Sequence, residues 1–226
     1  EWNKKYSYVF DKLLYFITEI DYISNNAFNA QKYHYCKPII NKNEKNEESF
    51  IKSTRMRHPI IERNITHEYV PHDACLDKNT RGNLVYGVNS CGKSSLMKSI
   101  GVNIVMAQCG LYVPANTFEF SPFKTLYTRI TGNDDLSKGL SSFVVELNEL
   151  GNILKKSNKN TLIIGDEICR GTEYLSANSL VASSIIKINK TKAKYIFATH
   201  LHELSKLEQI KNLKKLKMFH LSVDYK

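Results

Sequence analysis

An α/β fold with a mostly parallel sheet flanked by helices is predicted by three observations. The stretch Gly87-Val88-Asn89-Ser90-Cys91-Gly92-Lys93-Ser94 lies between the short apolar run Leu84-Val85-Tyr86 and a helical pattern, the setting of a phosphate-binding P-loop. Downstream, Thr161-Leu162-Ile163-Ile164-Gly165 reads as a buried apolar strand and ends in Asp166-Glu167. Strand and helix patterns then alternate, and such alternation around a P-loop implies parallel strands covered by helices on both faces.

Element by element, Val9, Leu13, Leu14, Phe16, Ile17, Ile20, Ile23, Ala27 and Ala30 recur at helical spacing and predict a long amphipathic helix from Tyr6 to about Lys32. That pattern starts without a cap and carries a broad apolar face, as expected of a fragment cut from a longer chain. Pro38 ends it, and the polar run Asn41 to Ser49 reads as a loop. Two units are expected: a helical connecting segment with its linker over 1–50, and a nucleotide-binding domain over 51–226 that opens at Arg57-His58-Pro59.

After the P-loop, a helix is expected from Lys93 to about Gln108, with Leu96, Ile100, Ile104 and Val105 on one side and Gly110 ending it. Val113 to Thr131 is β-like and irregular. A loop and then a helix follow over Leu136 to Ser157, with Val145, Leu147, Leu150, Ile153 and Leu154 apolar. Strand Thr161 to Gly165, helix Glu173 to Ile188, strand Lys194 to Ala198, helix Leu201 to Leu207 and a strand near Met218 to Val223 complete the alternation. No internal repeat is visible.

Over 226 residues, 42% hydrophobic and 24% charged residues suit a folded domain and argue against disorder. Neither a signal-peptide pattern nor a run of eighteen apolar residues is present, so no membrane association is expected. Five cysteines, Cys36, Cys75, Cys91, Cys109 and Cys169, lack metal-ligand spacing and point to free thiols in a reducing, intracellular compartment. A net charge of +10 would suit a polyanionic partner. Yet only six of the 32 basic residues are arginine, and the lysines of the end segment (Lys206, Lys211, Lys214, Lys215, Lys217) read more readily as a solvated face.

The chemistry follows from residue types. Glycines let backbone N–H groups turn around a phosphate, the following helix points its positive end there, Lys93 reaches β/γ oxygens and Ser94 can hold Mg²⁺. Of the two acids after the strand, one can serve the metal shell and the other can act on water. A strand simply ending in two solvated acids is the plainer alternative. The phosphates of a nucleotide, with Mg²⁺, are the ligand these residues predict.

Further motifs carry a resemblance. Gly87 to Ser95, Thr128-Arg129-Ile130, Asp134-Asp135-Leu136, Gly139-Leu140-Ser141-Ser142-Phe143-Val144-Val145-Glu146-Leu147, Asp166-Glu167-Ile168-Cys169-Arg170-Gly171-Thr172 and Phe197-Ala198-Thr199-His200 occur in this order. Together they resemble the ATPase domain of the MutS mismatch-repair family. The resemblance covers nearly the whole chain, the first helix being similar to the family's last lever helix.

The resemblance implies an ABC-type ATPase that binds ATP or ADP with Mg²⁺ and pairs head to head, as a homodimer or a MutS-like heterodimer. Mismatched double-stranded DNA would be held by domains outside these residues. It implies that Asn89, Lys93 and Ser94 cradle phosphate and metal within a loop including Gly87, Ser90, Cys91, Gly92 and Ser95. Asp166 would support Mg²⁺, and Glu167 would orient or deprotonate the attacking water. His200 resembles a switch histidine that senses the γ-phosphate, although a lone histidine is also a common structural residue. Ser141 matches the signature serine that approaches the partner's nucleotide, and a serine there equally suits a helix N-cap. Tyr69 falls where the family places an aromatic that stacks on adenine, while an isolated tyrosine also serves as core or surface. His202 has no such match and reads as surface.

The chain departs from the family pattern at Val88, Cys91 and Ser95, where proline, glycine and threonine are usual, and over Glu173-Tyr174-Leu175-Ser176. Cys169 and Glu173 are similar to a divergent branch encoded by viruses and organelles. The motifs leave two other readings open. One is a different ABC-type DNA-associated ATPase head, for which Leu-Ser-Gly-Gly-Gln would be expected in place of Gly139 to Phe143. The other is a nucleotide-gated scaffold without turnover.

Overall fold

The computed structural model describes residues 2–41, 47–88, 91–129, 142–169 and 172–222. In chain order the helices are α1 (Trp2–Tyr33), α2 (Ile61–Asn64), α3 (Lys93–Gln108), α4 (Ser142–Lys156), α5 (Tyr174–Thr191) and α6 (Glu208–Lys211). The strands are β1 (Ile39–Ile40), β2 (Phe50–Met56), β3 (His72–Leu76), β4 (Gly82–Gly87), β5 (Thr117–Ser121), β6 (Thr125–Arg129), β7 (Thr161–Asp166), β8 (Lys194–Ala198) and β9 (Leu216–Leu221).

Five strands form one sheet in the order β6-β7-β8-β4-β9, every pairing parallel. Side chains alternate between its faces, and the apolar runs of β4, β7 and β8 fill both. Val85, Leu162, Ile164, Ile196 and Ala198 meet Leu96, Met97, Ile100 and Ile104 of α3 on one side. On the other side Leu84, Tyr86, Ile163, Tyr195 and Phe197 meet Leu150 and Ile153 of α4 and Val181, Ile185 and Ile188 of α5. The expected parallel sheet between helices is thus present.

A second sheet, in the order β1-β5-β2-β3, is the main element that sequence reading left unresolved. Its β2 pairings are antiparallel, and Ile51, Met56, Ala74, Leu76, Phe118 and Phe120 turn inward onto the α3 side of the core. Polar residues interrupt β2 and β3, and the β2–β3 register shifts between Ser53 and Met56, so their apolar alternation is short and broken.

Other boundaries differ in detail. The segment expected as a helix from Leu201 to Leu207 is a 3₁₀ turn over His202–Lys206, followed by α6. The last strand is shifted two residues toward the amino terminus. Val105 faces solvent, whereas Leu96, Ile100 and Ile104 are buried as expected. Gly110 does end α3: Leu111 N–H reaches the Met106 carbonyl and Gly110 N–H that of Ala107, the paired bonds of a Schellman cap. Apolar residues of α1 such as Leu13, Phe16, Ile17 and Ile20 are exposed. Its carboxyl half is tied to the body by Tyr22, whose hydroxyl donates to the Cys109 carbonyl at 2.5 Å, and by Asn26, which accepts from Tyr112 N–H at 2.9 Å. Among the described residues no helix is long and apolar enough to cross a membrane.

Candidate functional site at the carboxyl edge of the parallel sheet

The carboxyl ends of β4, β7 and β8 lie side by side, with β8 in the middle. In open parallel sheets this edge is where ligands bind. From β4 the chain passes through the loop of Gly87 and Val88 to Gly92, which caps α3 with φ 96°, a conformation natural to glycine. An added Cβ at Gly92 would meet nothing within 4 Å, so the loop is open there. The N-cap residue Gly92 brings no capping side chain and no acid stands in the first turn of α3, a setting that suits an anion.

Lys93, 5% exposed, folds back over this loop. Its ammonium donates to the Gly87 and Val88 carbonyls, both at 2.8 Å, and lies 4.0 Å from the Cys91 sulfur. One residue on, Ser94 Oγ donates to Asp166 Oδ2 at 2.5 Å. Asp166 ends β7 and is 4% exposed, and its Oδ1 has no hydrogen-bond partner among the described residues. A buried carboxylate oxygen without a partner is costly, and a hydroxyl beside it completes an oxygen pair suited to a hard cation. The residues present therefore fit Mg²⁺, whose remaining shell would come from phosphate and water.

The two acids diverge because the backbone turns sharply between them. Glu167 has φ 50°, its N–H donates to the Ala198 carbonyl at 3.0 Å, and its Oε1 lies 2.6 Å from His200 Nε2. With Glu167 ionised, Nε2 is the donor. Thr199 sets the turn that delivers His200: its N–H donates to the Val85 carbonyl and its Oγ1 accepts from Leu201 N–H, both at 3.0 Å.

Tyr69 comes to the same edge from the segment before β3, its hydroxyl 3.3 Å from Ser95 Oγ and 3.2 Å from Ser99 Oγ. The fold thus gathers Tyr69, Gly87, Cys91, Gly92, Lys93, Ser94, Ser95, Asp166, Glu167 and His200. Asn89, Ser90 and Ser141 lie outside the described residues, as do Asp134, Asp135 and Arg170. His202 is exposed, as expected, and stacks on the Tyr86 ring at 5.7 Å between centroids.

Sequence reading gave no role to Glu146, whose carboxylate accepts from Cys169 N–H at 2.8 Å. A signal was available. Glu146 shares a helical stripe with Leu150, Ile153 and Ser157, all four buried, so an acid interrupts the inward face of α4.

Comparison with known proteins agrees with the motifs. The family described as MutS domain V matches residues 83–226. A DNA mismatch repair protein mutS homolog of Acanthamoeba polyphaga mimivirus is 37% identical over 246 aligned positions, covering 93% of this chain and 22% of the relative. The mitochondrial DNA mismatch repair protein mutS homolog of Sarcophyton glaucum is 37% identical, covering 96% of this chain and 22% of its own length. DNA mismatch repair protein MutS of Staphylococcus haemolyticus is 38% identical, with 98% of this chain and 24% of the relative covered. The chain therefore spans about a quarter of the length of these relatives. With its site residues converging on one sheet edge and a family match across the sheet that carries them, the chain belongs to the MutS family.

Proposed function

We propose that this chain is the ATP-hydrolysing domain of a MutS-like DNA mismatch protein, an ABC-type P-loop ATPase. The observation that carries the reading is the convergence of Lys93, Ser94, Asp166, Glu167 and His200 at the ends of three adjacent parallel strands.

Phosphoryl transfer is mainly a matter of positioning and charge neutralisation. Lys93 would exchange its two carbonyl partners for β/γ-phosphate oxygens, while the uncapped N–H groups of α3 receive the phosphates. Ser94 and Asp166 would hold Mg²⁺, which when bound offsets the phosphate charge. Glu167 takes a proton from water as the water oxygen bonds to the γ-phosphorus. The bond to the β–γ bridging oxygen breaks, giving ADP and phosphate. His200 holds the Glu167 carboxylate and, like the family's switch histidine, responds to the γ-phosphate. Tyr69 would stack on adenine, with Asn89 and Ser90 completing the phosphate loop.

By the same reading two heads pair, as homodimer or heterodimer, and Ser141 of each approaches the nucleotide of the other. Mismatched DNA would be gripped by parts of the protein outside this chain, its clamp coupled reciprocally to nucleotide state. The viral and mitochondrial relatives favour an origin in that branch of the family.

The test is steady-state ATPase activity of the full-length protein across a concentration series. Activity per molecule should rise with concentration and fall at least about 10²-fold in Glu167→Ala, the scale of general-base catalysis. Lys93→Ala should lose Mg²⁺–ATP binding. Retained binding with flat activity that does not depend on Glu167 would refute turnover and leave a nucleotide-gated scaffold.

A further inference from the structure

The loop after β7 adopts left-handed backbone twice in three residues, at Glu167 with φ 50° and Cys169 with φ 64°. Residues bearing a Cβ avoid this region, and such conformations persist only where the surroundings over-determine them. Three contacts do so here. Glu167 N–H is bonded to the Ala198 carbonyl. Ile168 folds back over Gly165, where an added Cβ would come within 2.3 Å of Ile168 Cδ1. The third contact comes from outside the strands: Glu146 Oε1, on α4, accepts from Cys169 N–H at 2.8 Å.

Glu146 is 7% exposed, and a carboxylate is rarely buried without a reason. Arg129, at the end of β6, supplies its countercharge, Nε lying 3.9 Å from the same Oε1 while Nη1 reaches Glu149 Oε2 at 3.0 Å. A hydrogen bond from backbone N–H to an ionised acceptor is shorter and stronger than a neutral one. The anchor runs through the Cys169 amide rather than its thiol, which burial, reinforced by the Glu146 charge, pushes up to about 11 and so keeps neutral.

We propose that Glu146 is a positioning residue: backed by Arg129, its carboxylate pins the Cys169 amide and thereby keeps Glu167 turned toward His200. This rests on the reading of Glu167 as the group that acts on water. Glu146 itself touches neither nucleotide nor metal in this scheme. Its effect is confined to the aim of the Glu167 carboxylate, where a shift of about 1 Å costs on the order of 10²-fold in rate.

The test compares Glu146→Ala with Glu146→Gln in the full-length protein, with two readouts. The first is kcat against KM for ATP; the second is hydrogen exchange of the Cys169 amide, which needs no activity. Glu146→Ala removes the acceptor, so kcat should fall about 10- to 100-fold. KM and Mg²⁺–ATP affinity should stay within about twofold, because the α3 loop is untouched. The Cys169 amide should lose protection. Glu146→Gln keeps a carbonyl acceptor at the same reach and should restore both protection and most of kcat.

Unchanged Cys169 exchange in Glu146→Ala, or unchanged kcat despite lost protection, would overturn the proposal. So would a parallel loss of kcat, nucleotide affinity and thermal stability in which Gln rescues nothing, since that marks a merely structural residue. Wild-type protein lacking Glu167-dependent hydrolysis would instead overturn the ATPase reading, and the catalytic consequence with it. The exchange measurement would still decide whether Glu146 holds the loop.

Discussion

Glu48 offers the sharpest test of how the chain before β2 is fastened to the parallel sheet. Its carboxylate accepts from Arg81 Nη2 at 2.7 Å and from Lys194 Nζ at 2.9 Å, so one acid ties the starts of β4 and β8 together. The Lys194 side chain is 0% exposed, and among the described residues its other acceptor is the Lys192 carbonyl at 3.3 Å. Glu48→Ala therefore strands a buried ammonium. Breaking a buried pair from one side costs about 3–5 kcal/mol, because the remaining charge is left uncompensated. At about 2–4 °C per kcal/mol for a chain of this size, Tm should drop by roughly 6–20 °C. Urea denaturation at neutral pH supplies the free energy directly.

The pH dependence has a definite sign. Burial pushes the Glu48 carboxyl up, but the hydrogen bonds and charges of Arg81 and Lys194 outweigh it and hold the group below its ordinary 4.5. A depressed acid stabilises the fold above its unfolded value, and this contribution is lost as pH falls through the folded one. The gap between variant and wild type should accordingly narrow below pH 4.5. Adding Lys194→Met to Glu48→Ala removes the stranded charge and should recover most of the loss. A single-variant loss under about 1 kcal/mol, or a double variant no better than the single, would refute the reasoning.

Three further outcomes are expected. Gly165→Ala would put a Cβ 2.3 Å from Ile168 Cδ1 and 2.8 Å from Phe197 Cδ1, so urea denaturation should show a loss of about 1–3 kcal/mol, partly relieved by Ile168→Ala. Cys169, buried and raised to about 11, should resist thiol reagents in the native state while exposed Cys75 and Cys109 react, as mass spectrometry of the labelled sites will show. For the same reason the neutral Cys169 thiol contributes stability below its ordinary 9.0 that disappears as pH rises through about 11.

Much of the fold and site was legible because the information is local. The all-buried β4, β7 and β8 each contain a continuous apolar run, and an uninterrupted run needs no partner to be recognised. The loop before Lys93 and the acid pair after Gly165 are each contiguous, so the chemistry proposed for them reads directly from residue order. β2 and β3 were not legible. Lys52, Ser53, Thr54 and Arg55 break the apolar period of β2, and only the pairing of β2 with β5, of β3 with β2, and packing on the α3 side of the core make strands of these segments.

The sequence by itself determined the family and the parallel αβ alternation, and it supplied the groups proposed to meet a phosphate, because each depends on short-range pattern. Only the tertiary structure decided which of those groups meet. Ser94 meets Asp166 across 72 residues, Glu167 meets His200 across 33, and Glu146 reaches the Cys169 amide across 23. Such meetings arise from strand order and helix packing, which put β8 between β4 and β7 and α4 against the loop beyond them. Strand order is a global property, since it depends on which faces are buried together, and no window of sequence contains it.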